Sequence, residues 1–230
     1  MLIYPTRNRK LIGVFRKFDE CQTCQRNKNP LQHILGVGKT QRPKLALVLI
    51  NPTYRNLSSK PTWRSYRFPF IGVRYFWKVL SKADIVSENL LREIYENIWS
   101  KEVLKKIIKE LEAKGVYLTN LIKCAANNPA YPAKDLIHNQ MTLFIEEMNA
   151  VRPQRIITFG LLPFEVLTGR SIRLSDYFSR LIEGERGRDE AFDPSLPLNF
   201  ETKIYPCYFP AGRGNPKRAT EMLRYYLKNF

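Results

Sequence analysis

Two asparagines stand where apolar runs stop. "LALVLINPTYRN" (45–56) breaks at Asn51-Pro52, and "VYLTNLIKC" reaches Asn120 after a similar run. An amide side chain is no general acid or base, but its carbonyl can orient a water, and its paired donor and acceptor can read a polar edge. The plainer alternatives are an Asx-type turn closing the strand at Asn51 and a cap on loose backbone groups at Asn120. "FPAGRGNP" (209–216) offers a glycine-rich run of main-chain N–H groups before Pro216, a favoured first helical residue. Such a loop and helix N-terminus can hold a carbonyl oxygen or a phosphate, and Arg213 can act as a wedge in a groove. Cys21-x-x-Cys24 adds a pair of soft ligands.

The elements that must position these residues alternate. Four short β-rich runs, Leu45–Ile50, Val116–Leu121, Arg155–Phe159 and Ile204–Tyr208, are separated by helical patterns. That order predicts one α/β domain over 1–230, with three layers and a four-stranded, mainly parallel sheet flanked by helices. An N-terminal segment, 1–43, carries the CxxC. The clearest helix is "KEVLKKIIKELEAKG": Val103, Leu104, Ile107, Ile108 and Leu111 share a face, and Gly115 ends it. Its lysines and glutamates read as a solvated face. Further helices are expected over Lys134–Ala150 and Pro216–Leu227, and Glu183–Asn199 reads as a long surface loop. Ligands of such a sheet sit beyond the carboxyl ends of its strands. Those ends deliver Asn51-Pro52-Thr53, Asn120 with Lys123-Cys124, Gly160, and the 209–216 loop.

Charge narrows the partner. The 38 Lys+Arg against 21 Asp+Glu leave a net of +17, which favours a polyanion, nucleic acid ahead of a membrane surface. No run is long and apolar enough for a transmembrane helix, and the N-terminus lacks the order of a signal peptide. The expectation is a cytoplasmic, monomeric protein with no membrane partner, whose four cysteines are thiols or metal ligands.

Several segments resemble one enzyme superfamily. "INPTYRN…FPFIGVRYFWKVL" resembles the first motif of the mismatch-specific uracil/thymine-DNA glycosylases, and "FPAGRGNP" the second motif of the uracil-DNA glycosylase superfamily. "CQTC", "QHILGVGKTQRPKLALVLI", "YLTNLIKC" and "VRPQRIITFG" are similar to the iron–sulfur family of the same superfamily. Together they span Cys21 to about Pro216. The resemblance implies a monofunctional DNA glycosylase that removes uracil, or a related deaminated or mismatched base, from DNA. Hypoxanthine or thymine opposite guanine remain alternative substrates, and a non-catalytic nucleic-acid-binding protein is the alternative from another class.

The implied roles fall on the strand ends. Asn51 orients the attacking water, and Gly212 belongs to the catalytic loop. Pro52, Phe70, Asn120, Phe209 and Ala211 contact the flipped base, Phe70 as a stacking wall and Asn120 as the reader of its edge. Arg213, Asn215 and Lys217 meet DNA. Cys21, Cys24 and Cys124 resemble three ligands of a [4Fe–4S] cluster, with zinc in a Cys₃His site as the alternative and His138 as candidate fourth ligand. Neither metal is needed for the chemistry. Two departures stand out: Phe209 replaces the second motif's histidine, and Gln140 occupies the position of the fourth cluster cysteine. Cys207 is expected to be a buried thiol, and His33 a surface or packing residue.

Overall fold

The computed structural model describes residues 4–21, 31–63, 66–96, 99–125, 132–183, 191–212 and 214–230. Cys24 and Arg213 lie outside them. Four parallel strands form the centre: β2 (Leu45–Leu49), β3 (Val116–Asn120), β4 (Arg155–Phe159) and β5 (Lys203–Cys207). A two-residue strand, β1 (Val37–Gly38), pairs antiparallel with β3, so the sheet has five strands in the order β1-β3-β2-β4-β5. The expected four-stranded sheet therefore gains an antiparallel edge. Two residues, one of them glycine, carry no readable alternation.

All five residues of β2 and of β3 are buried, because helices cover both faces of the sheet. Leu45, Leu47 and Leu49 point into one core, with Phe76, Trp77, Leu104, Ile107 and Met222. Ala46 and Val48 point into the other, with Leu11, Phe15, Phe18, Phe144 and Met148. The first layer comprises α2 (Arg74–Lys82), α3 (Glu88–Tyr95), α4 (Lys101–Ala113), α7 (Leu174–Glu183) and α8 (Pro216–Asn229). The second comprises α1 (Arg9–Glu20), α5 (Lys134–Val151) and α6 (Leu161–Thr168). Helix α1 falls within the CxxC segment. Its Leu11, Val14, Phe15 and Phe18 are buried in the same core as the α5 residues Phe144 and Met148.

Part of the expected loop 183–199 is paired to the sheet. Phe192 pairs with Ile204 through main-chain bonds of 3.0 and 2.8 Å, and its ring meets Phe164 edge-on at 4.9 Å. The sheet thus carries a short antiparallel pairing at each edge.

Candidate active site

From β2 the chain proceeds to β3 on one side, then to β4 on the other. In a doubly wound sheet such a switch leaves a crevice at the carboxyl ends. Main-chain bonds continue past the strands, Leu121 N to Leu49 O at 2.6 Å and Ile122 N to Ile50 O at 2.9 Å. Asn51 and Asn120 therefore project from neighbouring strand ends, about 5 Å apart in the sheet direction. Gly160, at the end of β4, has φ +88, and a side chain there would touch Ile50 and Phe209 at 3.8 and 3.9 Å. The ends of β2, β4 and β5 are thus packed around one point.

Asn51 is half-buried and donates from Nδ2 to Pro52 O at 3.2 Å. That local bond uses one N–H of the amide, whereas Oδ1 has no partner among the described residues. Turn and water-orienting roles are compatible: the turn fixes the side chain and leaves its carbonyl available. The following loop is pinned to the FPF segment, Asn56 Nδ2 donating to Phe68 O at 2.7 Å and Phe68 N to Ser58 Oγ at 2.8 Å. Asn51 and Phe70 are thereby tied into one unit.

Phe70 has φ +62. A left-handed conformation costs a bulky residue roughly 1–2 kcal/mol, and such strain gathers at functional positions. Trp77 holds it by donating from Nε1 to Phe70 O at 3.1 Å, and the Phe70 ring stacks on Phe76 at 4.2 Å. The ring remains half-buried, as a platform with one covered face would be.

Asn120 is 1% exposed, and neither its Nδ2 nor its Oδ1 has a hydrogen-bond partner among the described residues. Leaving a buried amide unsatisfied costs about 1–3 kcal/mol per group, so the site demands an explanation beyond packing. The strand-capping alternative is not what the geometry shows, because a capping side chain would be bonded. Directly behind it lies a buried ion pair that sequence reasoning passed over. Lys123 Nζ is 2.5 Å from Glu147 Oε2, both side chains fully buried. Nζ also donates to Thr119 Oγ1 at 2.8 Å and to Asn120 O. Tyr117 OH and Thr119 Oγ1 donate to Glu147 Oε1 at 2.7 and 2.8 Å. Burial lowers the Lys123 pKa, with Glu147 opposing, and burial and Glu147 together raise that of Tyr117. Gly36 is required here, since a Cβ would lie 2.0 Å from Tyr117 OH.

The loop after β5 is turned tightly. A Cβ on Gly214 would lie 1.9 Å from Phe209 O, and Gly212 has φ +59. Pro210 and Ala211 are buried, Phe209 is half-buried, and Gly212 and Lys217 are exposed. Asn215 serves as N-cap of α8, its side chain accepting from Arg218 N at 3.1 Å. That bond occupies Oδ1, so a DNA contact from Asn215 would come from its amide nitrogen.

The cysteine set does not assemble as a four-ligand site among the described residues. Cys124 is buried and disulfide-bonded. Gln140 Nε2 donates to Cys124 Sγ at 2.7 Å, which puts Gln140 where the fourth sulfur was expected but presents an N–H instead of a lone pair. His138 is exposed and lies two residues from Gln140 on α5, roughly 200° around the helix, so it is turned away from Cys124. Among the described residues no group of three His, Cys, Asp or Glu is arranged for a metal. Cys21 is half-buried at the end of α1. Cys207 lies on the opposite flank of the sheet, fully buried, its thiol pKa driven far up by burial.

A separate groove of about 620 Å³ runs along the β1 edge, lined in part by Tyr4, Arg7, Lys39, Lys105 and Lys109. Lys39 N donates to Val116 O, the first residue of β3, so this groove adjoins the amino ends of the strands and contains none of the residues above.

The domain is thus a doubly wound α/β sheet whose carboxyl-end residues include a buried amide unpartnered among the described residues, Asn120, with Phe70 at positive φ and a glycine-rich turn after β5. The family model described as the uracil DNA glycosylase superfamily matches residues 35–229, and the chain belongs to that superfamily, whose members are DNA glycosylases. Comparison with curated proteins finds no match. No helix among the described residues is long and apolar enough to cross a membrane.

Proposed function

We propose that this protein is a monofunctional DNA glycosylase that hydrolyses the N-glycosidic bond of uracil, or of a related deaminated or mismatched base, flipped out of DNA. The observation that carries this reading is Asn120, buried with both amide atoms unpartnered at a strand end. Uracil presents O4 and N3–H, which one amide satisfies with its donor and its acceptor. Phe70 would stack on the base. Asn51 Oδ1 would orient a water beneath C1′. The water oxygen bonds to C1′ as the C1′–N1 bond breaks, its electron pair leaves on the base, and the water's proton passes to solvent.

No carboxylate is assigned to take that proton, so the barrier is lowered mainly by placement and by dipoles aimed at the departing anion. The N–H groups of the 209–216 loop supply such dipoles near uracil O2. Phe209 in place of a histidine removes one donor, a loss of about 10²–10³ in rate, and the enzyme is expected to be slow. Lyase chemistry is not part of the reading. Lys123, the lysine nearest Asn120 in sequence, is fully buried and ion-paired with Glu147. Arg213 and Lys217 would meet the DNA backbone.

An excision assay on duplexes carrying uracil, hypoxanthine or a G·T mismatch tests the proposal, with Asn120→Asp alongside. Uracil release that falls about tenfold or more in Asn120→Asp, with cytosine release rising, supports it, since a carboxylate accepts from N4–H₂ and, protonated, donates to N3. Equal uracil cleavage by Asn120→Asp overturns the role of Asn120. Preferred release of hypoxanthine or thymine changes the substrate, and binding without release of any base makes the protein a non-catalytic binder. An iron–sulfur cluster on Cys21, Cys24 and Cys124 is a separate proposal, resting on the resemblance and lacking a fourth ligand on the described residues. Iron with acid-labile sulfide in anaerobically purified protein supports it. Stoichiometric zinc supports the alternative, and metal-free folded protein overturns both.

A further inference from the structure

The Lys123–Glu147 pair invites the question of what it does. Burying two charges is costly, and apolar residues of similar volume serve stability equally well or better. Stability therefore does not account for the pair. What an apolar pair cannot do is donate to the carbonyl of Asn120. Strand β1 pairs with β3 only at Tyr117 and Leu118, so among the described residues the edge of β3 has no strand neighbour at Asn120. Lys123 Nζ is the donor that Asn120 O receives.

The lysine is itself held from every side. Its N–H donates to Gln140 Oε1 at 2.8 Å, and its carbonyl accepts from Ile34 N at 2.9 Å. Glu147 and Thr119 fix its ammonium, and the rings of Phe18 and Phe144 lie 5.5 and 5.3 Å from Nζ. Asn120, by contrast, has no side-chain bond to define its rotamer. Its orientation must come from its backbone and from packing.

We infer that the buried Lys123–Glu147 pair positions Asn120, turning its carbonyl inward so that the side-chain amide is presented, unpartnered and in one orientation, to the base. Lys123 and Glu147 are thus positioning residues that sharpen base discrimination without touching the base. This rests on the reading of Asn120 as the base reader.

The test uses the double variant Lys123→Met/Glu147→Gln in the full chain. It removes both charges together, keeps an oxygen acceptor for Tyr117 and Thr119, and deletes the donor to Asn120 O. Two readouts apply. The ratio of single-turnover rates on uracil and cytosine should fall about tenfold, through slower uracil release. The Asn120 side-chain ¹⁵NH₂ signals, assigned by their loss in Asn120→Ala, should be sharp and single in the parent and broadened or doubled in the variant. If the double variant does not fold, Thr119→Val decides: it removes the hydroxyl bridging Nζ to Glu147, and should lower the ratio about threefold with the same spectral change. A folded variant with the parent's ratio and one sharp Asn120 amide overturns the inference. A parent that releases no base overturns the glycosylase reading instead, and the amide signals still judge the positioning.

Discussion

Protonating His33 should destabilise this protein as the pH falls below about 6.5. His33 is 7% exposed, its Nε2 has no partner among the described residues, and burial pushes its pKa from 6.5 to about 4. Arg67 and Lys123 push the same way, and Asp19 opposes them. Between those two values the unfolded chain binds a proton that the folded chain refuses, so stability falls as pH drops through this window. From about pH 7.5 to about pH 4.5 the cost is about 2–3 kcal/mol, at 1.36 kcal/mol per pH unit of linkage. Carboxylates titrate over the same range, so the measurement must be a difference. His33→Gln, neutral throughout, should lose about 2–3 kcal/mol less than the parent across that interval in urea unfolding, whatever its packing deficit near neutrality. Curves for the two proteins that run parallel to within about 0.5 kcal/mol would show that His33 titrates alike in both states, and that its burial carries no charge penalty.

Asn51→Ala should slow release of every base that the parent cleaves while leaving duplex affinity nearly unchanged; a large loss of affinity would mean that Asn51 touches the base instead of the water. Phe70→Gly should be more stable than Phe70→Ala by about 1 kcal/mol, because only glycine tolerates φ +62 without strain, and equal thermal unfolding would remove strain as a property of this position. Gly214→Ala should displace the turn at Phe209 O, lowering both activity and the unfolding midpoint, and unchanged values of both would show that the turn tolerates a side chain there. Affinity for undamaged duplex should fall steeply as salt rises, through release of counterions, and a flat dependence would remove nucleic acid as the partner of the +17 charge.

The central strands were legible because burial on both faces writes them as continuous apolar runs, and their ends came within a residue or so. Helix α1 was also legible, since Leu11, Val14, Phe15 and Phe18 follow helical spacing, yet the nearby cysteines drew the reading toward a metal segment. Asn51 and Asn120 announced themselves by where they interrupt apolar runs. Lys123 and Glu147 did not: they meet across two elements, 24 positions apart in sequence, and a lysine after a strand reads as surface. The φ of Phe70 was equally hidden, since a bulky aromatic before Ile71 gives no sign of a left-handed backbone. His138 was proposed from closeness in sequence to Gln140, and helical geometry turns two residues' separation into opposite directions.

The two short antiparallel pairings, Val37–Gly38 against β3 and Phe192 against Ile204 of β5, cover part of the sheet at each border. A bare strand border is a template on which a second chain can add its own strand, the first step of fibrous aggregation. On β5 the bridge is joined by Pro206, which has no N–H to offer. Neither pairing is long enough to matter much for folding energy. Their value is in what they withhold: each covers part of a border, shortening the stretch that a misfolded or crowded neighbour could extend.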